Sequence, residues 1–217
     1  PSSERPRRRS RSSTGTLMVS QPLTEPVLRM PVANDPNVSV QVWIKAGSMN
    51  DPAGKEGLAL LTATMLSEGG TTKLPYDKIL TALYPMAAGY GVNVDKEMIV
   101  FEGYSHRDHA TTFARYFVDA LVWPRFDPAD FERIRASLTS HLENTLRFSS
   151  DEELGKAALY QSIFAGTRYA HDAHGGIKAL AAITVDDVRA FWKATVTRDN
   201  IVVAIGGGYD EAFEKSI

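Results

Sequence analysis

Apolar positions along the chain switch between two periods, and the switches mark out its elements. Residues 27–32 (VLRMPV) read as a short strand. Residues 38–46 (VSVQVWIKA) set Val38, Val40, Val42 and Ile44 on one face, the period of two expected of a half-buried strand, and Gly47 ends it. A turn over Asp51-Pro52 and Gly54 follows. Residues 56–67 then read as a helix. Leu58, Leu61 and Met65 share a face, Leu60 and Leu66 add a second, and this predicts an inward-facing, buried helix closed by Gly69-Gly70. A second helix is expected from Leu74-Pro75 to about Ala87, with proline tolerated in its first turn. Residues 89–94 and 98–104 read as two strands joined by the polar turn Asp95-Lys96-Glu97.

The second half of the chain is mostly helical in pattern. Phe113, Tyr116, Phe117, Ala120 and Leu121 recur at helical spacing until Trp123-Pro124 stops them. Phe131, Ile134, Leu138, Leu142 and Leu146 form one stripe, which predicts a single long helix. Residues 151–164 read as another helix and 166–176 as a polar loop. Thr184 with Asp187 resembles a capping box for a helix bearing Val188, Phe191 and Trp192. Residues 201–205 form a short apolar strand before Gly206-Gly207-Gly208, and a helix begins near Asp210. The order is β-β-α-α-β-β-α-α-α-α-β. Strands come in pairs and helices in runs, which is α+β and not a doubly wound α/β sheet. The chain shows no internal repeat.

Composition narrows the function classes. The 217 residues suit one sizeable domain or two small ones, and 43% hydrophobic residues are enough for a core. A net charge of −2 argues against nucleic acid as a partner. No apolar run approaches the roughly 18 residues of a transmembrane helix. The absence of cysteine removes disulfides, thiolate metal sites and cysteine nucleophiles. The chain begins at Pro1, so it is expected to be processed or part of a longer protein, with a lost signal peptide among the possibilities. Arg5, Arg7, Arg8, Arg9 and Arg11 sit among serines and prolines, so residues 1–22 are expected to form a disordered arm and 23–217 the folded domain. A polybasic membrane contact or a targeting peptide is the alternative reading of the arm.

Several motifs invite chemical readings. His106-Arg107-Asp108-His109 is expected to be a solvated turn before a helix, and His171-Asp172-Ala173-His174 a structural or solvent-facing loop. Gly206-Gly207-Gly208 lacks the flanks and the Lys-Ser/Thr of a phosphate-binding loop, so it reads as a closing turn.

Taken in order, these segments resemble a known family. Ala46-Gly47-Ser48, then Asp51 to Gly57, then GLALLTATML closing on EGGT, is similar to the opening of the M16 (insulinase / mitochondrial-processing-peptidase-like) peptidases. AGYGVNV at 88–94, Phe126-Asp127-Pro128 with Phe131-Glu132-Arg133, the loop from His171 to Gly176, Ile183-Thr184 and the stretch 200–207 extend the resemblance over about residues 25–210. It implies the M16/LuxS-like metallohydrolase fold, a largely antiparallel sheet packed on one side by helices, and an N-terminal half-unit whose C-terminal counterpart is absent from this chain.

Active members of the family carry H-x-x-E-H on the first helix. Two histidines one helical turn apart bind zinc, the glutamate activates the metal-bound water, and a distant glutamate is the third ligand. Carried over by position, the histidines fall on Leu60 and Thr64, the base on Ala63, and the third ligand on His141 or near it. Glu68 and Glu143 are displaced by several residues. Leu60 has no lone pair and Ala63 no proton acceptor, and Thr64 is a poor ligand. The resemblance therefore implies no catalytic residue, no metal and no cofactor in this chain, with zinc expected only in an active partner. An unpaired buried polar group costs about 1–3 kcal/mol, so apolar replacements suit a helix that no longer holds metal.

The implied role is a non-catalytic subunit that pairs with an active M16 peptidase and helps enclose a peptide substrate, held by strand addition. A structural or assembly module of the same fold is one alternative. An active metalloendopeptidase using His141 and the loop histidines is another. The expected location is the bacterial periplasm or cell envelope, with cytoplasm or mitochondrion as alternatives.

Overall fold

A computed structural model describes residues 27–146 and 151–217, apart from the side chains of 145 and 146. The arm expected at 1–22, the start of the domain at 23–26 and the Leu146 side chain lie outside the described residues.

Among the described residues, five strands form one sheet in the order β1-β5-β2-β4-β3. They are β1 (Val27–Pro31), β2 (Asn37–Ile44), β3 (Gly89–Val94), β4 (Ile99–His106) and β5 (Ile201–Gly207). The alternation in β2 does what its spacing predicts. Val38, Val40, Val42 and Ile44 are buried, and Trp43 on the opposite face is 36% exposed. β2 pairs antiparallel with β4 and with β5, and β4 pairs antiparallel with β3. β1 runs parallel to β5, with Val27 opposite Val203. The sheet is thus largely antiparallel, as expected, with one parallel edge.

Helices cover the inner face. α1 (Leu58–Glu68), α2 (Tyr76–Leu83), α3 (Ala110–Val122) and α4 (Pro128–Ser140) precede α5 (Asp151–Ile163), α6 (Ile177–Ala182), α7 (Val185–Thr195) and α8 (Glu211–Ser216). α1 packs on β3 and β4, and α3 packs on β4. Phe101, Phe113 and Phe117 are fully buried between sheet and α3, with the Phe101 and Phe117 ring centroids 4.6 Å apart. Each such ring contributes roughly 1.5–3 kcal/mol by leaving water. Tyr90 joins them at 5.4 Å from Phe101, and burial pushes its phenol well above the usual range.

Side-chain caps fix the starts of α4, α7 and α8. Asp127 accepts a hydrogen bond from the Ala129 amide at 2.9 Å with Pro128 at the first helical position. Thr184 and Asp187 form the expected capping box. Asp210 accepts from the Phe213 amide at 2.8 Å.

Three elements depart from the sequence pattern. The stripe from Phe131 predicts one long helix, but α4 ends at Ser140 and a π-helical turn occupies His141–Leu146. Apolar spacing over a single turn does not separate the two hydrogen-bond patterns. α2 is shorter than expected. Pro85 and the left-handed Ala87 (φ 47°) turn the chain through a 3-10 segment at Tyr84–Met86 instead of a continued helix. The six-residue α6 is additional, and it is too short to show a period.

Candidate functional site

The site is built around α1, whose first turn has no side chain to cap it. Its N-cap is Gly57 in the left-handed region (φ 104°). The cap comes from upstream instead. Asp51 accepts hydrogen bonds from the amides of Gly57 and Ala59, each at 2.7 Å, and lies 3.2 Å from His171 Nε2. Its side chain is 0% exposed. Burial pushes the Asp51 carboxyl up, and the Gly57, Ala59 and His171 hydrogen bonds hold it down in turn. A carboxylate here also faces the positive end of the α1 dipole.

The loop carrying His171 and His174 is fastened onto this cap. The Lys96 ammonium donates to the His171 carbonyl. A side chain at Gly175 (φ 72°) would place its Cβ 1.8 Å from the Glu56 carbonyl oxygen, so only glycine permits the approach. His174 Nδ1 lies 2.7 Å from Asp172 Oδ1, and this hydrogen bond holds the Asp172 carboxyl below its usual range against the opposing effect of burial. His171 and Glu56 line both of two clefts. One, of about 570 Å³, is lined by Glu56, Gln161, Ile177 and Lys178; the other, of about 450 Å³, by Asn50, Ala53 and Arg168.

Most of α1 is sealed: Leu61, Ala63 and Met65 are each 0% exposed. Leu60, Thr64 and Glu68, spaced four apart, form its half-open stripe. The helix is buried as expected over most of its surface, and this stripe is its partly exposed part. Of the three positions carried over from the zinc motif, only Ala63 is fully buried. The Thr64 hydroxyl donates to the Leu60 carbonyl at 2.8 Å, a helix-internal bond.

α4 runs antiparallel to α1. Arg133 donates to the Glu68 carbonyl at 2.7 Å at one end. At the other, His141 stacks on His174 with centroids 4.5 Å apart, and the His174 carbonyl lies against Gly57. His141 therefore sits at the Leu60 end, so the fold gathers the four carried-over positions into one region. β3 also packs against α1. At the Glu68 end, Tyr90 neighbours Tyr76, whose ring lies 6.0 Å from the Arg133 guanidinium carbon. At the Leu60 end, the turn after β3 supplies Lys96 to the His171 loop. Burial and the nearby Glu68 raise the Tyr76 phenol.

The remaining motifs lie elsewhere. His106 Nδ1 accepts from the Asp108 amide at 3.3 Å in an exposed turn ahead of α3, away from the stripe. Gly207 and Gly208 press against the backbone of Asn37 and Asp35, which makes the triple glycine a structural junction. Among the described residues, no three His, Asp or Glu side chains converge where a metal ion could sit. Sequence reasoning treated Asp51 as a turn residue only. The signal for its role was the missing N-cap side chain at Gly57, which obliges another group to satisfy the α1 amides.

Solved structures share this fold. A peptidase M16 inactive domain from Pseudomonas fluorescens superposes with a TM-score of 0.79 at 23% identity, over 88% of this chain and 46% of its own. The periplasmic protease PqqL from Escherichia coli gives 0.76 at 16% identity, over 88% of this chain and 22% of its own. A protease from Helicobacter pylori gives 0.75 at 15% identity, over 88% of this chain and 46% of its own. The chain thus spans less than half the length of each. A search of the curated proteins finds no match to the sequence. Residues 29–176 match the family described as insulinase, peptidase family M16. With that match covering more than half of the 217 residues and the fold in agreement, the chain belongs to peptidase family M16.

Proposed function

We propose that this chain is a non-catalytic M16 subunit, an N-terminal half-unit that holds extended peptide and pairs with an active zinc peptidase. The observation that carries the reading is the chemistry of the three α1 positions of the family's motif. Leu60 offers no lone pair, Ala63 no acceptor, and the Thr64 hydroxyl is engaged by the Leu60 carbonyl. These side chains do not fit a zinc ion, which takes three protein ligands in a catalytic site. His141 is the one potential ligand among the four positions, and its ring is stacked on His174. The metal is expected in the partner.

Peptide holding is supported by the edge strand. β3 bonds to β4 on one side, and among the described residues no strand pairs with its other side. An extended peptide adds there through backbone hydrogen bonds. A periplasmic or envelope location is part of the proposal. The likeness to a periplasmic protease supports it, and no helix among the described residues is long and apolar enough to cross a membrane.

The test is metal analysis and peptidase assay of the purified chain, alone and with a co-purified M16 partner. Expected are no stoichiometric zinc and no chelator-sensitive cleavage alone, and cleavage when the partner is present. Stoichiometric zinc with chelator-sensitive cleavage by the isolated chain would favour an atypical site through His141 and the loop histidines. Failure to protect or retain any extended peptide would favour an assembly module.

A further inference from the structure

The outer face of the sheet, turned away from α1, carries a cleft of its own. Ser39, Gln41 and Trp43 of β2 point there, because Val38, Val40, Val42 and Ile44 take the core side. On β4, Glu102 and Tyr104 point the same way and alternate with the buried Phe101, Gly103 and Ser105. The register sets Tyr104 between Ser39 and Gly89, and Glu102 between Gln41 and Gly91. These six residues line a cleft of about 480 Å³, inside the roughly 300–1,000 Å³ span of small-ligand sites. Its polar groups are pre-set. An indole N–H only donates, and Trp43 Nε1 donates to Gln41 Oε1 at 3.0 Å. That fixes the Gln41 amide, whose Nε2 donates to Glu102 Oε2 at 3.1 Å. The other Glu102 oxygen keeps its acceptor capacity, and among the described residues no cation pairs with this carboxylate. The Tyr104 ring lies across β3, with its Oη 3.3 Å from where a Cβ at Gly89 would stand, and the residue is still 60% exposed. Beside it the cleft is open: no atom lies within 4 Å of a Cβ built at Gly91.

We propose that this cleft binds a saccharide, a β-linked pyranoside with equatorial hydroxyls. Such a sugar has a flat C–H face and a rim of hydroxyls that both donate and accept. The C–H face packs on the electron-rich face of Tyr104. Glu102 accepts from one hydroxyl, and the Ser39 and Tyr104 hydroxyls serve its neighbours as donor or acceptor. The open space at Gly91 admits the ring beside Tyr104. An extended peptide is not the match here. β2 and β4 are each paired on both sides, so the backbone under the cleft is spent in the ladders and has no bonds left for strand addition. The site is on the opposite face of the sheet from α1 and does not depend on the peptide-holding reading.

Isothermal titration calorimetry of the purified chain with cellotriose tests this, with spermidine as a competing amine. Saturable binding of cellotriose and none of spermidine is expected. Tyr104→Ala is expected to weaken cellotriose binding by about fivefold or more, the worth of one aromatic face, while Tyr104→Phe stays within about twofold. Gly91→Val guards against a folding defect at position 104. Its Cβ meets no other atom and valine suits a strand, so the variant is expected to melt as the parent does and to lose cellotriose binding because its side chain fills the cleft. No saturable binding of cellotriose by the unaltered chain overturns the proposal. So does binding that survives Gly91→Val. Spermidine bound in place of cellotriose assigns Glu102 to a cation and overturns it as well.

Discussion

Replacing Asp51 tests whether the first turn of α1, and with it the placement of Leu60 and Thr64, depends on one buried carboxylate. Asp51→Ala strands the amides of Gly57 and Ala59 and removes the partner of His171. Loss of an N-cap costs about 1–2 kcal/mol. Each buried donor left without a partner costs about 1–3 kcal/mol. Relief of the carboxylate's desolvation offsets part of this, leaving a net loss of about 3 kcal/mol. Because the side chain is 0% exposed, water does not readily substitute. With a urea m-value of about 2 kcal/mol/M, the midpoint falls by about 1.5 M at unchanged m. Asp51→Asn retains one acceptor and is expected to lose about half as much. Urea unfolding followed by circular dichroism at pH 7 reads both. An Ala variant within about 0.5 kcal/mol of the parent refutes the capping argument. An Asn variant more stable than the parent shows instead that the desolvation cost of the charge outweighs its three hydrogen bonds.

Three further outcomes follow from the same geometry. Ala63→Glu, the single change that would restore the family's base, puts a carboxylate at a 0% exposed position and is expected to destabilise by about 3 kcal/mol or more, read by thermal or urea melts; a neutral effect would mean α1 is looser than its packing implies. Gly175→Ala forces a Cβ onto the Glu56 carbonyl and is expected to cost at least about 2 kcal/mol and to raise amide exchange across residues 166–176; unchanged exchange would show that the loop is not fastened there. In acid, the Asp172 carboxyl held down by His174 contributes stability that is present above the ordinary carboxylate pKa of about 3.9 and lost as pH falls through its lower folded value. Asp187, held down mainly by Lys55, acts with the same sign, and Asp51, pushed up by burial, acts with the opposite sign. Asp172→Asn is therefore expected to flatten the loss of stability below about pH 4, and an acid limb identical to the parent's would refute the assignment.

Much of the fold was legible in the sequence because it is written in short-range periods. Val38, Val40, Val42 and Ile44 announce a strand, and Phe113, Phe117, Ala120 and Leu121 announce α3. Thr184 and Asp187 announce the start of α7, since a capping box closes within one turn. The resemblance to the M16 opening, and no period of the chain, pointed to Leu60, Ala63, Thr64 and His141. Apolar residues nearly all round α1 marked it as buried, but they do not say which of them a neighbour covers.

The sequence by itself determined the α+β class and the identity of the side chains, Leu60, Ala63 and Thr64, at the positions of the family's motif. Only the tertiary structure decided that Asp51 caps α1, that β1 joins β5 in parallel, and that His141 meets His174. Those contacts join residues far apart in the chain, and no local period records them. They exist because the folded core brings the segments together, and buried amides and carboxylates must then find partners wherever the fold has placed them.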